Sequence, residues 1–122
     1  FGFGLSYTDF EYGPMEAKIK NDTINISLEI KNIGEFPGKE VVQFYTEKVN
    51  STIKRPFQEL KSFTKTKRLE NDETIDISVK IPIKELSYWN ETINDWSLEK
   101  GEYNIKVGGS SRSIKQTLKI NL

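Results

Sequence analysis

Tyr88, Trp89 and Trp96 are the side chains best suited to ligand chemistry in this sequence. Aromatic faces can stack on the C–H surface of a pyranose, so a flat exposed pair would form a carbohydrate-binding platform. The plainer reading gives one ring to the cap of a sandwich core and the other to support of the 86–98 loop. The sequence favours the plainer reading, and side-by-side exposure of Trp89 and Trp96 would reverse that choice. Arg55 and Glu59 form a second candidate. A guanidinium and a carboxylate at this spacing can pair locally, or Arg55 can reach a carboxylate or carbonyl on another domain. Pro56 stiffens the approach and removes a backbone donor, which suits an edge or a loop. A plain surface ion pair there would be worth only about 0–1 kcal/mol.

Other chemistry is poorly served. The chain has no cysteine and no histidine, which removes disulfides, thiolate or imidazole zinc sites and His-based acid/base catalysis. Asn71-Asp72-Glu73 is oxygen-rich but lacks the alternating ligand spacing of a calcium loop, so it reads as a turn. The glycine pairs Gly2/Gly4 and Gly108/Gly109 precede no helix, unlike phosphate-binding or dinucleotide-binding loops. No cofactor, metal or catalytic residue is assigned.

The elements that must hold these groups are strands. Residues 23–31 place Ile24, Ile26, Leu28 and Ile30 on one face, against Asn25, Ser27 and Glu29 on the other. Such period-two alternation buries one face of a strand and cannot form a helical stripe. Ile75, Ile77, Val79 and Ile81 repeat it, as do Tyr103, Ile105 and Val107, and then Leu118, Ile120 and Leu122. Residues 38–46 carry Val41, Val42, Phe44 and Tyr45 on both faces, predicting a central or doubly covered strand. Leu60 and Phe63 differ in parity, which predicts a bulge or bend between them. Turn-rich punctuation falls at 32–38, 71–73, 100–101 and 108–111, and 83–86 can form one helical turn. Seven or eight short strands without helical crossovers indicate an all-β, immunoglobulin-like antiparallel sandwich. Its expected core is Ile24, Ile26, Leu28, Ile30, Val42, Phe44, Ile77, Val79, Tyr103, Ile105, Val107 and Leu118.

At 122 residues the chain is the size of one domain. Lysine plus arginine equals aspartate plus glutamate at 18 each, and this balance argues against nucleic-acid or anionic-membrane partners. No apolar run approaches the length of a membrane span.

Four stretches, in order, carry a family resemblance. Phe1-Gly2-Phe3-Gly4-Leu5-Ser6-Tyr7-Thr8 is similar to an F-P-F-G-x-G-L-S-Y-T linker with its first residues cut off. Asn32-Ile33-Gly34 with Gly38-Lys39-Glu40-Val41-Val42-Gln43-Phe44-Tyr45 is similar to N-x-G…G-x-E-V-V-Q-x-Y. Arg55-Pro56 with Glu59-Leu60-Lys61-Ser62-Phe63 resembles R-P-x-x-E-L-K-x-F. Leu86-Ser87-Tyr88-Trp89, Trp96, Gly101-Glu102-Tyr103 and residues 107–112 are similar to the closing strands. Together they resemble the C-terminal fibronectin type III-like domain of glycoside hydrolase family 3 enzymes, the β-glucosidases and their relatives.

The resemblance implies a non-catalytic accessory domain that buttresses catalytic domains of the same polypeptide. Residues 1–8 would be the linker motif and residues 9–122 the fibronectin type III-like sandwich. The retaining mechanism of that family uses a carboxylate nucleophile and a carboxyl acid/base, and the resemblance places both upstream of Phe1. Phe1, Phe3, Leu5 and Tyr7 are expected at the domain interface, because four large apolar groups in eight residues need a cover. Arg55, Pro56 and Glu59 are expected there too. Poly- or oligosaccharide is the other expected partner, through Tyr88, Trp89 and Trp96. Independent carbohydrate-binding or protein-interaction sandwiches are the rival readings. N-x-S/T sequons begin at Asn21, Asn25, Asn50 and Asn90, and each is an acceptor only in a eukaryotic secretory setting. A secreted, periplasmic or extracellular location is favoured.

Overall fold

The computed structural model describes residues 8–122, so Phe1, Phe3, Leu5 and Tyr7 lie outside the described residues. The alternating runs become β1 (Phe10–Tyr12), β2 (Glu16–Lys20), β3 (Thr23–Asn32), β4 (Val41–Lys48), β5 (Glu59–Lys65) and β6 (Thr74–Pro82). A 3₁₀ turn (Ile83–Leu86) follows, then β7 (Tyr88–Asn90), β8 (Asp95–Ser97), β9 (Glu102–Ser110) and β10 (Ser113–Asn121). One four-stranded sheet is centred on β3, with β6 along one edge and β1 and β2 dividing the other. The second runs β10-β9-β4-β5, and β7 and β8 form a separate two-stranded ribbon. All pairings are antiparallel, and the fold is an all-β, fibronectin type III-like sandwich.

Register follows from the sequence pattern. Ile24, Ile26, Leu28 and Ile30 lie opposite Ile81, Val79, Ile77 and Ile75, so one apolar face of the first sheet is continuous. A one-residue slip would turn all of it to solvent. This face meets Val42, Phe44, Tyr103, Ile105 and Val107 of the second sheet. The expected core is buried apart from Val79 and Leu118, which pack at its margin. Met15, Leu69, Ile81 and Leu86 complete it. β4 is interior to its sheet and buried on both faces from Val41 to Thr46. The bend expected between Leu60 and Phe63 is a register shift in β5 opposite Phe44 and Tyr45. A two-residue turn, Asn21-Asp22, joins β2 to β3 with both φ angles positive at 54° and 56°, as tight hairpins with right-handed twist require.

Several residues that carry the resemblance prove to be structural ties. Asn32 is fully buried. Its carbonyl oxygen accepts from the Thr8 hydroxyl and the Gly34 N–H at 3.0 and 2.9 Å. Its amide donates to the Phe36 and Leu69 carbonyls, both at 2.9 Å. A side chain at Gly34 would clash, its Cβ standing 1.6 Å from the Thr8 hydroxyl oxygen and 2.8 Å from the main-chain nitrogen of Asp9. Gln116 on β10, outside those stretches, reaches across to the first sheet, accepting from Met15 N–H at 2.8 Å and donating to the Tyr12 and Gly13 carbonyls.

Tyr12 donates to Glu40 at 2.9 Å, a second tie between the sheets. Burial pushes the Glu40 carboxyl above its ordinary value of 4.5, outweighing the Tyr12 hydroxyl, the Val41 N–H and nearby Lys115. The folded state therefore holds this proton more tightly than the unfolded chain. Stability from this site rises as pH falls from above the raised pKa towards 4.5. Glu40→Gln keeps an acceptor for Tyr12 and removes the charge. The variant should be at least as stable as the parent at pH 7, and should gain less on acidification through that window. Urea melts at pH 7 and 5 read this, and equal slopes for parent and variant would contradict it.

Candidate functional site

Two features at one end of the sandwich gather the predicted site residues. The first is the β7–β8 ribbon, where 86–98 was expected as a loop. Trp89 pairs directly across from Trp96, and Tyr88 and Asn90 pair with Ser97 and Asp95. The turn is held by the Thr92 N–H donating to Asn90 Oδ1 at 3.0 Å and by Asn94 at φ 53°. The Asn90 amide donates to the Ser97 hydroxyl at 3.2 Å.

The two indoles meet edge to face, with centroids 5.5 Å apart and planes at 80°. Trp89 is 47% and Trp96 62% exposed. The expectation that one ring would cap the core is overturned. Phe44 and Tyr103 are the fully buried large aromatics, the Tyr103 hydroxyl donating to the Glu99 carbonyl at 2.6 Å, and Leu86 is buried in the same core cluster. Cross-strand register places both tryptophans opposite each other on the ribbon, and both keep large exposed areas. Trp96 also borders an open groove of about 690 Å³ lined by Leu60, Lys61, Lys84, Glu85 and Ser87.

The second feature is the connection between β4 and β5. Glu99 gathers one side of it. Oε1 accepts from the Ser51 hydroxyl at 2.7 Å, and Oε2 from the Thr52 N–H and hydroxyl at 2.7 and 3.2 Å. Arg55 Nη2 lies 3.2 Å from Oε1, with both side chains nearly buried. Burial alone would raise the Glu99 carboxyl, but the Thr52 and Ser51 bonds and the Lys48 charge bring it below its ordinary value. Arg55 Nη1 donates to the Leu86 carbonyl at 3.4 Å, and the guanidinium lies 5.7 Å from the Tyr88 ring centre.

The local Arg55–Glu59 pair does not form, because Arg55 is turned towards Glu99. Glu59 pairs instead with Lys61, its neighbour on β5, at 3.1 Å. Arg55 therefore ties the loop to the root of the ribbon, a function no local spacing announced. Pro56, beyond it, is exposed.

Lys106 gathers the other side of the loop. Its Nζ lies 3.1 Å from Glu47 Oε1, donates to Gln58 Oε1 at 3.1 Å, and sits 4.4 Å from the Phe57 ring centre. The Asn104 amide foremost, and Lys106, hold the Glu47 carboxyl below its usual range against the effect of burial. A nearly buried lysine side chain thus supports Phe57, a residue 71% exposed. Leu60 and Phe63, at 50% and 60% exposure, continue the outward face above Tyr45 and Gln43, their cross-strand neighbours. Tyr45 donates to Gln43, which in turn donates to the Gly109 carbonyl at 3.3 Å. Sequence reasoning passed over Phe57, Lys106 and Glu99. An aromatic immediately after Arg-Pro was the only local signal.

Of the sequon asparagines, Asn21 and Asn50 are exposed at turns. Asn25 lies within β3 with its amide on the Lys18 and Thr23 carbonyls, and Asn90 is occupied in the ribbon. Residues 71–73 form the expected turn, with Glu73 paired to Lys67 at 2.7 Å. Among the described residues no cluster of acidic side chains is arranged to hold a metal.

Comparison with known proteins agrees with this architecture. The model of the fibronectin type III-like domain matches residues 40–111. Thermostable beta-glucosidase B of Acetivibrio thermocellus is 40% identical over 99% of the chain, which covers 17% of that protein. A beta-glucosidase of Kluyveromyces marxianus is 44% identical over 93% of the chain, covering 14% of the relative. A crystal structure of a beta-glucosidase from Kluyveromyces marxianus superposes with a TM-score of 0.92 at 41% identity, spanning all of this chain and 15% of the larger one. The chain thus spans about a sixth of the length of these relatives. With the family model covering more than half of the sequence and the sandwich matching in three dimensions, the chain belongs to the fibronectin type III-like domain family, in the form carried within β-glucosidases.

Proposed function

We propose that this domain is the C-terminal accessory module of a family 3 glycoside hydrolase, with residues 1–8 as its linker motif and 9–122 as the sandwich. The remainder of such a polypeptide would carry the retaining β-glycosidase chemistry, and this module would brace it. The observation that carries the reading is Phe57, a large apolar ring held outward by a nearly buried lysine. An exposed hydrophobe that is already ordered loses little entropy on being covered, which marks an interface anchor. Pro56 precedes it, while Arg55 and Glu59 position the loop and strand that present it. Phe1, Phe3, Leu5 and Tyr7 extend the same reading on sequence grounds.

The test uses the longer polypeptide. Phe57→Asp should lower its melting temperature and shorten its thermal half-life, by about 1–3 kcal/mol in effect for a buried anchor. In the 122-residue chain alone the same change should stay within about 0.5 kcal/mol, as for exposed sites. Equal stability of parent and variant in the longer polypeptide would remove Phe57 from the interface. A second reading, direct saccharide contact, is favoured by the exposed indole pair.

A further inference from the structure

We propose that the groove between β5 and the β7–β8 ribbon is a subsite for a neutral β-linked gluco-oligosaccharide, with Trp96 as its stacking surface. The inference deepens the saccharide reading above and rests on it. At about 690 Å³ the groove lies within the roughly 300–1,000 Å³ typical of ligand sites. Its lining is also mixed in the manner of such sites. Trp96 and Leu60 supply apolar surface, and Lys61, Lys84, Glu85 and Ser87 supply donors and acceptors.

Charge selects the ligand class. Lys61 is already neutralised by Glu59 at 3.1 Å, and Glu85 lines the groove alongside Lys84. With Glu59 counted, two lysines and two carboxylates balance around the groove, so charge does not select an anion, whereas a neutral polyol can use both donors and acceptors. The stacking face narrows the class further. A β-linked glucopyranose carries its hydroxyls equatorially and its C–H bonds axially, so each ring presents a flat apolar surface to an indole. Trp96 is suited to receive it because its orientation is set in advance. The edge-to-face contact with Trp89 and the cross-strand register fix the ring before any ligand arrives. A preset aromatic gives contact area at little entropic cost.

The experiment titrates the 122-residue chain with cellotetraose, read by indole fluorescence and by amide chemical shifts. Saturable binding is expected, with the Lys61, Glu85 and Ser87 amides moving. Trp96→Ala should weaken binding at least tenfold while leaving the amide shifts of the sandwich core unchanged. Lys84→Ala and Glu85→Ala should each weaken it about two- to fivefold. Maltotetraose, whose α-links curve the chain away from a flat face, should bind at least fivefold more weakly. Loss of binding in Trp89→Ala or Trp96→Ala without any effect of Lys84→Ala or Glu85→Ala, and without groove shifts, would overturn the groove while leaving sugar contact by the ribbon intact. No saturable response to cellotetraose would overturn both. Unchanged affinity in Trp96→Ala would remove Trp96 as the stacking surface and with it the proposal.

Discussion

Gly108→Ala is expected to destabilise the chain by about 3 kcal/mol or more, at the upper end of overpacking costs. Gly108 lies in β9, paired with Gln43 of β4 on one side and with Ile114 of β10 on the other. The β9–β10 register shifts on both sides of Ile114, and the displaced backbone fills the space a side chain would need. A Cβ on Gly108 would stand 2.0 Å from the Ser113 carbonyl oxygen and 2.9 Å from the Ile114 Cα. These are main-chain atoms, so no rotamer change relieves the contact. The pairing of β10 would have to give way, and Gln116 with it, loosening a tie between the sheets. Gly109 is the control, since its Cβ would stand 3.4 Å from the Glu40 carboxylate, an ordinary van der Waals contact. Alanine there should cost less than about 1 kcal/mol, because nothing has to move to admit it. Urea denaturation of the two variants measures the difference, and equal midpoints would contradict the bulge as the cause.

Asn32→Leu is expected to cost about 3 kcal/mol despite its similar volume. The substitution removes four hydrogen bonds at a fully buried position. Leu69 O keeps the Gly38 N–H at 3.0 Å, but the Gly34 N–H and the Phe36 carbonyl lose the partners recorded for them. Each polar group stranded away from water costs about 1–3 kcal/mol, more than a typical bond contributes when made. The 33–38 connection should loosen first, and amide exchange at Gly34 and Gly38 should accelerate more than exchange within β3. A loss below about 1 kcal/mol would mean that water replaces the asparagine.

Both positions lie in stretches that carried the family resemblance, and their meaning changed once the chain was folded. Asn32, Gly34, Glu40, Gln43 and Gly108 read in sequence as labels of kinship. In three dimensions they bond loops to strands, join the two sheets, or leave room for a neighbouring backbone. The Arg-Pro motif behaves similarly. Its arginine was expected at a domain contact or in a pair with Glu59, yet it is engaged with Glu99 and the root of the aromatic ribbon. The neighbouring Phe57, which the sequence did not mark as a site residue, is the exposed group that this loop presents.

Strands, their buried faces and the break in β5 were legible before any coordinates, because period two is a property of each short segment by itself. Side chains alternate across a strand whatever it pairs with, so Ile24, Ile26, Leu28 and Ile30 had to share a face. Partner choice and exposure are different quantities. They depend on which distant segments the closed sandwich brings together. Glu99 could be matched to Arg55, and Lys106 to Phe57, only after β9 was seated beside β4. The outward placement of Trp89 and Trp96 was likewise decided in three dimensions, where Phe44, Leu86 and Tyr103 take buried core positions and both indoles stay exposed.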